Sequence, residues 1–140
     1  MPHYRSEYRR LARVALAAHP RFAGVDVRAV WPGSVSDEDL PVMGILTPQE
    51  PSARDTQSSS TKRTLMQVAL RRIGGDEIED QLDDDSAVIE AVILATLRSG
   101  EIRCALEDTS VTSNGGGRAN VGTLVMSFRI QSWRSEPTLT

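Results

Sequence analysis

The sequence predicts a single α+β domain, with two helices packed on one face of a mainly antiparallel sheet of about five strands. Its 140 residues are the length of one domain. Apolar residues make up 39% of the chain and charged residues 25%, the composition of a folded globular protein. Helical and alternating apolar patterns follow one another in the order α-β-β-β-α-β-β, so we assign residues 1–140 to one domain.

The first predicted element is an amphipathic helix from Tyr4 to about Ala18. Its apolar residues recur at helical spacing: Tyr8, Leu11, Ala12, Ala15 and Leu16. Four arginines occupy the other face: Arg5, Arg9, Arg10 and Arg13. Pro20 disfavours helical geometry at the preceding residue and so ends the helix. We predict that His19 contacts the last carbonyls of this helix and that His3 lies in a frayed N-terminus.

Three strands are predicted to follow as a meander. Residues 25–31 alternate between apolar and polar, and residues 40–47 form a continuous apolar run that predicts a strand buried on both faces. A polar turn at residues 36–39 separates them. Residues 62–73 alternate again, and one face of that strand is apolar or weakly polar: Thr64, Met66, Val68 and Leu70.

Residues 48–61 are predicted to be a long irregular surface loop. The segment contains two prolines and a run of three serines, and it lacks core-forming side chains. Loops of this length inside a compact domain are functional or disordered. We expect this loop, which includes Arg54 and Asp55, to be mobile in the free subunit and to become ordered against a neighbour.

A second helical region is predicted to begin at the acidic residue Asp76, with its main helix over about residues 86–99. Asp76 and Glu79 resemble a capping pair, and Gly100 stands where a helix-ending glycine is expected. Residues 102–112 and 120–132 then alternate and predict a hairpin, with its glycine-rich turn at 114–117. We expect residues 134–140 to form a loose polar tail.

Charge and cysteine content exclude several classes of protein. Sixteen basic residues against nineteen acidic ones give a net charge of −3, whereas a freestanding nucleic-acid-binding protein normally has a basic surplus. One cysteine excludes an intramolecular disulfide and a cysteine-rich zinc site. The sequence shows neither a signal peptide nor an apolar run of the ~18 residues that a membrane span needs, so we expect a soluble intracellular protein.

The sequence predicts no catalytic, cofactor-binding or metal-binding residues, and therefore no enzyme. Cys104 has the strand parity of Ile102 and Leu106, which predicts a buried, inert thiol. Residues 76–85 hold seven acidic side chains, but Ala87 and Val88 break the spacing of a calcium-binding loop. The acidic segment is either a solvated face or a contact for a basic partner.

The layout of the chain resembles that of phage tail terminator proteins, the minor tail protein U type of lambda-like long-tailed phages. The resemblance covers about residues 5 to 131. The residues that carry it are residues 11–16, Ser36, Asp37, Glu38, Asp39, Leu40, Pro41, Val42, Gly122, Thr123 and Leu124.

The resemblance implies a structural virion protein without enzymatic activity. Such proteins form hexameric rings that cap the tail tube, stop its polymerisation and join the tail to the head connector or stopper protein. DNA would pass through the ring without sequence-specific binding, and acidic charge near the channel would keep it from adhering. The expected place is the tail-neck region of the virion, after assembly in the host cytoplasm, with no membrane partner and no cofactor.

The charge pattern gives a further expectation about subunit contacts. We expect the basic first helix, through Arg9, Arg10 and Arg13, to contact the acidic cluster of an adjacent subunit: Asp83, Asp84 and Asp85. Arg54 and Asp55 are candidate contacts in the predicted loop. Unlike patches at different places on one chain favour contacts that close into rings.

Two other interpretations stay open. One is another head–tail connector or minor tail protein of the stopper or head-completion type, which would bind a different partner. The other is a small cellular enzyme or ligand-binding domain, which would need a pocket lined with polar groups.

Overall fold

The computed structural model describes residues 2–29, 41–114 and 120–139. It is a single α+β domain with two helices and a mixed sheet of six strands, which confirms the predicted fold class. The elements, in chain order, are α1 (Tyr4–Ala18), a single 3-10 turn (Pro20–Phe22), β1 (Asp26–Arg28), β2 (Val42–Gln49), β3 (Ser52–Arg54), β4 (Ser59–Gly74), α2 (Ile78–Leu97), β5 (Arg103–Asn114) and β6 (Asn120–Ser135). No helix of the described ranges is both long and apolar enough to cross a membrane.

The strand order in the sheet is β1-β2-β4-β6-β5, and β3 pairs with β4 beyond the end of β2. The predicted meander is wrong at its first step, because β1 pairs with β2 in parallel. An alternating pattern predicts a strand but does not encode the direction of its neighbour. All other pairs in the described sheet are antiparallel. The predicted turn at 36–39 lies outside the described residues.

Both helices cover the same face of the sheet, and the core lies between the helices and that face. Helix α1 buries Tyr8, Ala12 and Leu16, and α2 buries a longer stripe that runs from Ile78 to Leu97. The predicted apolar face of β4 is confirmed, because all four of its side chains are buried. β2 is buried through its first four residues, as the continuous apolar run predicts. The matching core face of β6 is formed by Leu124, Met126, Phe128 and Ile130.

The prediction that residues 48–61 form an irregular loop is wrong. β2 continues to Gln49, and the short strand β3 pairs with the start of β4 in an antiparallel hairpin. Its turn closes through the backbone N–H of Asp55, which donates to the carbonyl of Ser59 at 3.0 Å. The side chains of this hairpin are mostly exposed, so it has no apolar alternation by which a strand is detected.

Helix α2 begins at Ile78, two residues after the predicted start of the helical region at Asp76, and it continues without a break through the main helix predicted from about residue 86. The N-cap is Glu77, without a side-chain cap, so the predicted role of Asp76 is wrong. The exposed acidic residues of the first two turns obscure an apolar stripe that already includes Ile78 and Leu82. Gly100 lies beyond the C-cap Arg98 and does not have a left-handed backbone, so its predicted helix-ending role is wrong too.

The predicted hairpin near the C-terminus is confirmed by β5 and β6. Its glycine turn lies outside the described residues. The expectation of a loose tail over 134–140 is wrong for Arg134 and Ser135, which belong to β6 and pair with the start of β4. The backbone N–H of Glu136 donates to the carbonyl of Ser58 at 2.7 Å. This bond ties the residue after β6 to the turn of the β3–β4 hairpin.

Candidate functional site

Beyond the C-terminal end of α1 lies a buried ion cluster, the Asp85 cluster, which consists of Asp85, Arg21 and Arg72. Arg21 Nε donates to Asp85 Oδ1 at 2.6 Å, and Arg72 Nε donates to Oδ2 at 2.7 Å. The Asp85 side chain is 0% exposed. The cluster therefore joins the 3-10 turn after α1, the strand β4 and the helix α2 around one carboxylate.

The expectation that Asp85 contacts an adjacent subunit is wrong, because its carboxylate faces the interior of the chain. Its neighbours Asp83 and Asp84 are exposed, and they remain on the surface as predicted. Helical periodicity explains the difference, since Asp85 lies in the stripe that also buries Leu82 and Ile89. Charge alone does not distinguish these three neighbouring acids in a sequence.

Two of the three arginines of α1 predicted to contact another subunit, Arg9 and Arg10, have partners within the chain. Arg9 donates to the hydroxyls of Thr47 and Ser6. Arg10 forms an ion pair with Glu7, one turn earlier on the same helix, and this contact lowers the pKa of Glu7. In the described part of the chain, Arg13 has no hydrogen-bond partner, and none of these three arginines contacts an acid of α2.

Arg54 and Asp55, the candidate contacts of the predicted loop, lie at the tip of the β3–β4 hairpin. Arg54 pairs with Glu136 at 3.4 Å, and Asp55 accepts a hydrogen bond from Thr61 at 2.6 Å. Both side chains are exposed, so the tip remains a surface on which another molecule can rest.

The N-terminal end of α1 carries a second buried carboxylate, that of Glu50. Tyr4 donates to Glu50 Oε2 at 2.6 Å, Arg5 donates to the same oxygen at 3.3 Å, and the Thr64 hydroxyl donates to Oε1. The Glu50 side chain is 6% exposed. Burial and the hydrogen bond to Glu50 raise the pKa of Tyr4 well above its ordinary value.

Arg134 lies beside this carboxylate but does not pair with it. Its guanidinium carbon is 4.1 Å from the centre of the Tyr4 ring. Its Nη2 donates to the Tyr8 hydroxyl at 2.7 Å and its Nε to the Ser132 hydroxyl at 3.1 Å. Within residues 2–29, 41–114 and 120–139, no carboxylate forms an ion pair with Arg134. A half-buried cation is thus held by two hydroxyls and an aromatic ring.

Arg134 opens onto a groove of about 760 Å³, here named the Arg134 groove. Its walls are formed by Pro2, His3, Tyr4, Glu7, Tyr8, Leu11, Ile102, Arg134, Ser135 and Pro137. A neighbouring cavity of about 330 Å³ shares several of these residues and adds Arg5, Glu50, Ser52 and Lys62. Sequence analysis missed this groove, because its walls come from both ends of the chain. The sequence contains one local indication of the groove, which is that Tyr4 and Tyr8 lie one helical turn apart on the same face of α1.

An acidic surface, the acidic end, lies at the start of α2 and consists of Asp76, Glu77, Glu79 and Asp80. All four residues are exposed. Glu79 accepts a hydrogen bond from Ser113 at 3.1 Å, and a cavity of about 360 Å³ separates these acids from the start of β6. β6 begins at this end and finishes at the Arg134 groove, so the two surfaces lie at opposite ends of a strand roughly 45 Å long.

The remaining chemically active side chains have structural roles. Cys104 is buried as predicted, and burial raises the pKa of its thiol to about 11. The Nδ1 of His3 accepts from the backbone N–H of Arg5, so His3 caps α1 and the predicted fraying is wrong. His19 is the C-cap of α1 as predicted, and its backbone N–H donates to the Leu16 carbonyl at 3.2 Å. Its Nδ1 accepts from the backbone N–H of Arg21 and so caps the 3-10 turn. In the described ranges, no cluster of histidine, cysteine and acidic residues is arranged to hold a metal ion.

No protein-family model matches the chain, and no curated protein is a significant relative.

Proposed function

We propose that this chain is a structural subunit of the tail-terminator type, which closes into a ring in the tail-neck region of a virion. The ring caps the tail tube, stops its polymerisation and joins the tail to the head connector protein, while DNA passes through its channel. The layout of the sequence motivates the family, and the distribution of charge over the fold supports the ring.

The observation that carries the proposal is the separation of two unlike surfaces on one chain. The Arg134 groove is mostly apolar, and its cation Arg134 has no carboxylate partner among the described residues. The acidic end exposes four carboxylates at the far end of β6. Neither surface can pair with a copy of itself, because like charges would then face each other. The groove of one copy can instead contact the acidic end of the next. Such head-to-tail contacts close into a ring when the rotation between neighbouring copies permits.

The sheet face opposite the helices offers a second surface for a tube or connector protein. Its central strands carry a mixture of apolar and polar side chains, such as Leu65, Gln67 and Val125, which are half-buried. Ile73 and Trp133 lie at the two ends of this face and are 38% and 47% exposed. Stable interfaces combine apolar area and a polar rim in this way, over about 800 Å² on each partner.

A second candidate function is favoured by the Arg134 groove itself. An apolar groove with two tyrosines and one fixed arginine has the composition of a site for a small apolar molecule with a carboxylate. A ligand-binding domain of this kind would be stabilised against thermal unfolding by such a molecule at millimolar concentration, whereas a ring subunit would not depend on it.

The experiment that tests the proposal is deletion of the gene from a genome that produces tailed particles, followed by electron microscopy. Loss of a terminator leaves tubes of uncontrolled length without heads, because nothing stops their growth. Normal tails that fail to join heads would instead indicate a stopper or another connector. Normal, infectious particles would contradict both roles.

A further inference from the structure

We infer that the Arg134 groove of one copy binds the acidic end of a second copy, so that subunits join head to tail. The inference rests on the proposed ring and specifies the contact that holds it together. The occupant is therefore a second copy of this chain, and the recognised group is a carboxylate of Asp76, Glu77, Glu79 or Asp80.

Two cations in this region lack a carboxylate partner among the described residues: Arg134 in the groove and Lys62 in the adjoining cavity. Arg134 contacts hydroxyls and rings, and Lys62, in the adjoining cavity, donates to the Ser52 hydroxyl at 2.9 Å. By contrast, Arg5 pairs with Glu50 in the same region. Glu7, the acid in the groove wall, is paired with Arg10. Hydrogen bonds between an arginine and a carboxylate are about twice as strong as those between neutral groups, so a carboxylate is the ligand that Arg134 lacks.

The guanidinium of Arg134 is already held in position. Tyr8 and Ser132 fix two of its nitrogens, and the Tyr4 ring supports its plane. A group that is ordered before binding loses little conformational entropy when the partner arrives. The third nitrogen, Nη1, has no hydrogen-bond partner in the described part of the chain and is the donor left for a partner's carboxylate.

The acidic end, in turn, lacks a basic partner among the described residues. Its four acids lie within five positions of one another, and no lysine or arginine of the described ranges pairs with them. Arg21 and Arg72 instead pair with Asp85. Repulsion among these carboxylates is relieved when a cation of a neighbouring copy approaches, which adds to the attraction across the contact.

A single chain cannot make this contact with itself, because the two surfaces lie at opposite ends of β6. When a second copy docks head to tail, one groove and one acidic end stay free, and the contact repeats from copy to copy, as a ring requires.

The test uses two charge-reversed full-length chains and sedimentation velocity at low ionic strength. The groove variant is Lys62→Glu with Arg134→Glu, and the end variant is Asp76→Lys with Asp80→Lys. Each variant alone should self-associate roughly tenfold more weakly than the parent chain. An equal mixture should recover association in alternating order, because each reversed surface then meets its opposite. Asp83→Lys with Asp84→Lys, which changes the net charge of the chain equally, should associate as the parent does.

If Arg134→Glu impairs folding, Lys62→Glu with Ser135→Glu places two acids at the groove and leaves the contacts of Arg134 with the tyrosines intact. It should weaken self-association in the same way. A parent chain that stays monomeric at low salt and high concentration overturns the inference, as do variants that associate like the parent and a mixture that does not recover. Those outcomes leave the proposed function standing, since tail length after gene deletion tests it separately.

Discussion

The two ends of α1 differ in how they use a buried carboxylate. At the C-terminal end, Asp85 is shared by Arg21 and Arg72, so each cation of this cluster has an acid beside it. At the N-terminal end, the Glu50 carboxylate accepts hydrogen bonds from other donors, and Arg134 has no acidic partner among the described residues. A charge that is compensated inside the chain stabilises the fold. A charge that is fixed in place but uncompensated, at the edge of a groove, is available to a partner.

Burial explains why the two ends should respond differently to mutation. The Asp85 side chain is inaccessible, and the side chain of its partner Arg72 is 12% exposed. Removing one member of such a cluster leaves a charge in a medium that solvates it poorly. Arg134 borders a groove that is open to solvent, so water can replace its lost contacts.

The largest effect is expected for Asp85→Ala. This change leaves Arg21 and Arg72 without their acid, and loss of one partner from a buried ion pair typically costs about 3–5 kcal/mol. Chemical denaturation should show a free energy of unfolding lower by that amount. Asp84→Ala, at the exposed neighbouring position, is the control and should change the free energy by less than about 0.5 kcal/mol. Equal effects of the two variants would contradict the contrast between the ends.

The packing beneath the Asp85 end is tested by Gly122→Ala. A Cβ at position 122 would lie 2.6 Å from Leu82 Cδ1 and 2.7 Å from Ile78 Cγ1, so α2 would have to move away from β6. Overpacking of this kind costs about 1–3 kcal/mol, which thermal unfolding will detect. Gly75→Ala is the matched control, because nothing lies within 4 Å of its added Cβ. A Gly122 variant as stable as the control would show that α2 does not rest on this residue.

The Glu50 end is tested by Tyr4→Phe, which removes one of the three donors to that carboxylate. A hydrogen bond of this kind contributes about 1 kcal/mol, so the free energy of unfolding should fall by that amount at neutral pH. Arg5 and Thr64 keep Glu50 hydrogen-bonded in the variant.

The same variant has an expected pH dependence. The pKa of Tyr4 is higher in the folded chain than in the unfolded chain, where it is about 10. Its stabilising contribution is therefore complete below pH 10 and is lost as the pH rises above that value. Denaturation measured from neutral to alkaline pH should show a steeper loss of stability for the parent than for Tyr4→Phe. Parallel curves would show that Tyr4 ionises as freely in the folded chain as in the unfolded one.

The smallest effect on stability is expected for Arg134→Gln. The change removes a cation that has no buried acid to leave behind, so the free energy of unfolding should fall by about 1 kcal/mol or less. Arg72→Gln, the corresponding change at the other end, should cost several times more because Asp85 stays buried. Calorimetry of the two variants compares the ends directly. A loss for Arg134→Gln as large as that for Arg72→Gln would mean that Arg134 holds the fold together.

Sequence patterns predicted the elements whose apolar residues repeat regularly. The stripe of α1 and the parity of β4 each depend on one face meeting the core, and the structure confirms both. The β3–β4 hairpin could not be predicted in this way. Its pairing is made by backbone groups, and its side chains carry almost no apolar signal.

The charged sites were harder to predict for a different reason. Asp85 differs from Asp83 and Asp84 by its place on the helix, because it lies in the buried stripe of α2. The position of this stripe depends on where α2 begins, at Ile78. The Arg134 groove depends on contacts across more than 120 residues of sequence, such as that between Arg134 and Tyr8. Local spacing contains no record of such contacts.

The central claim, that copies of this chain close into a ring on the tail axis, is tested most directly by electron cryomicroscopy of an assembled particle. The account predicts a hexameric ring, as the resemblance implies, at the head-proximal end of the tail tube, with the acidic end of each copy against the Arg134 groove of the next. Density for a single copy away from the tail axis, or no copy in the particle, would contradict it.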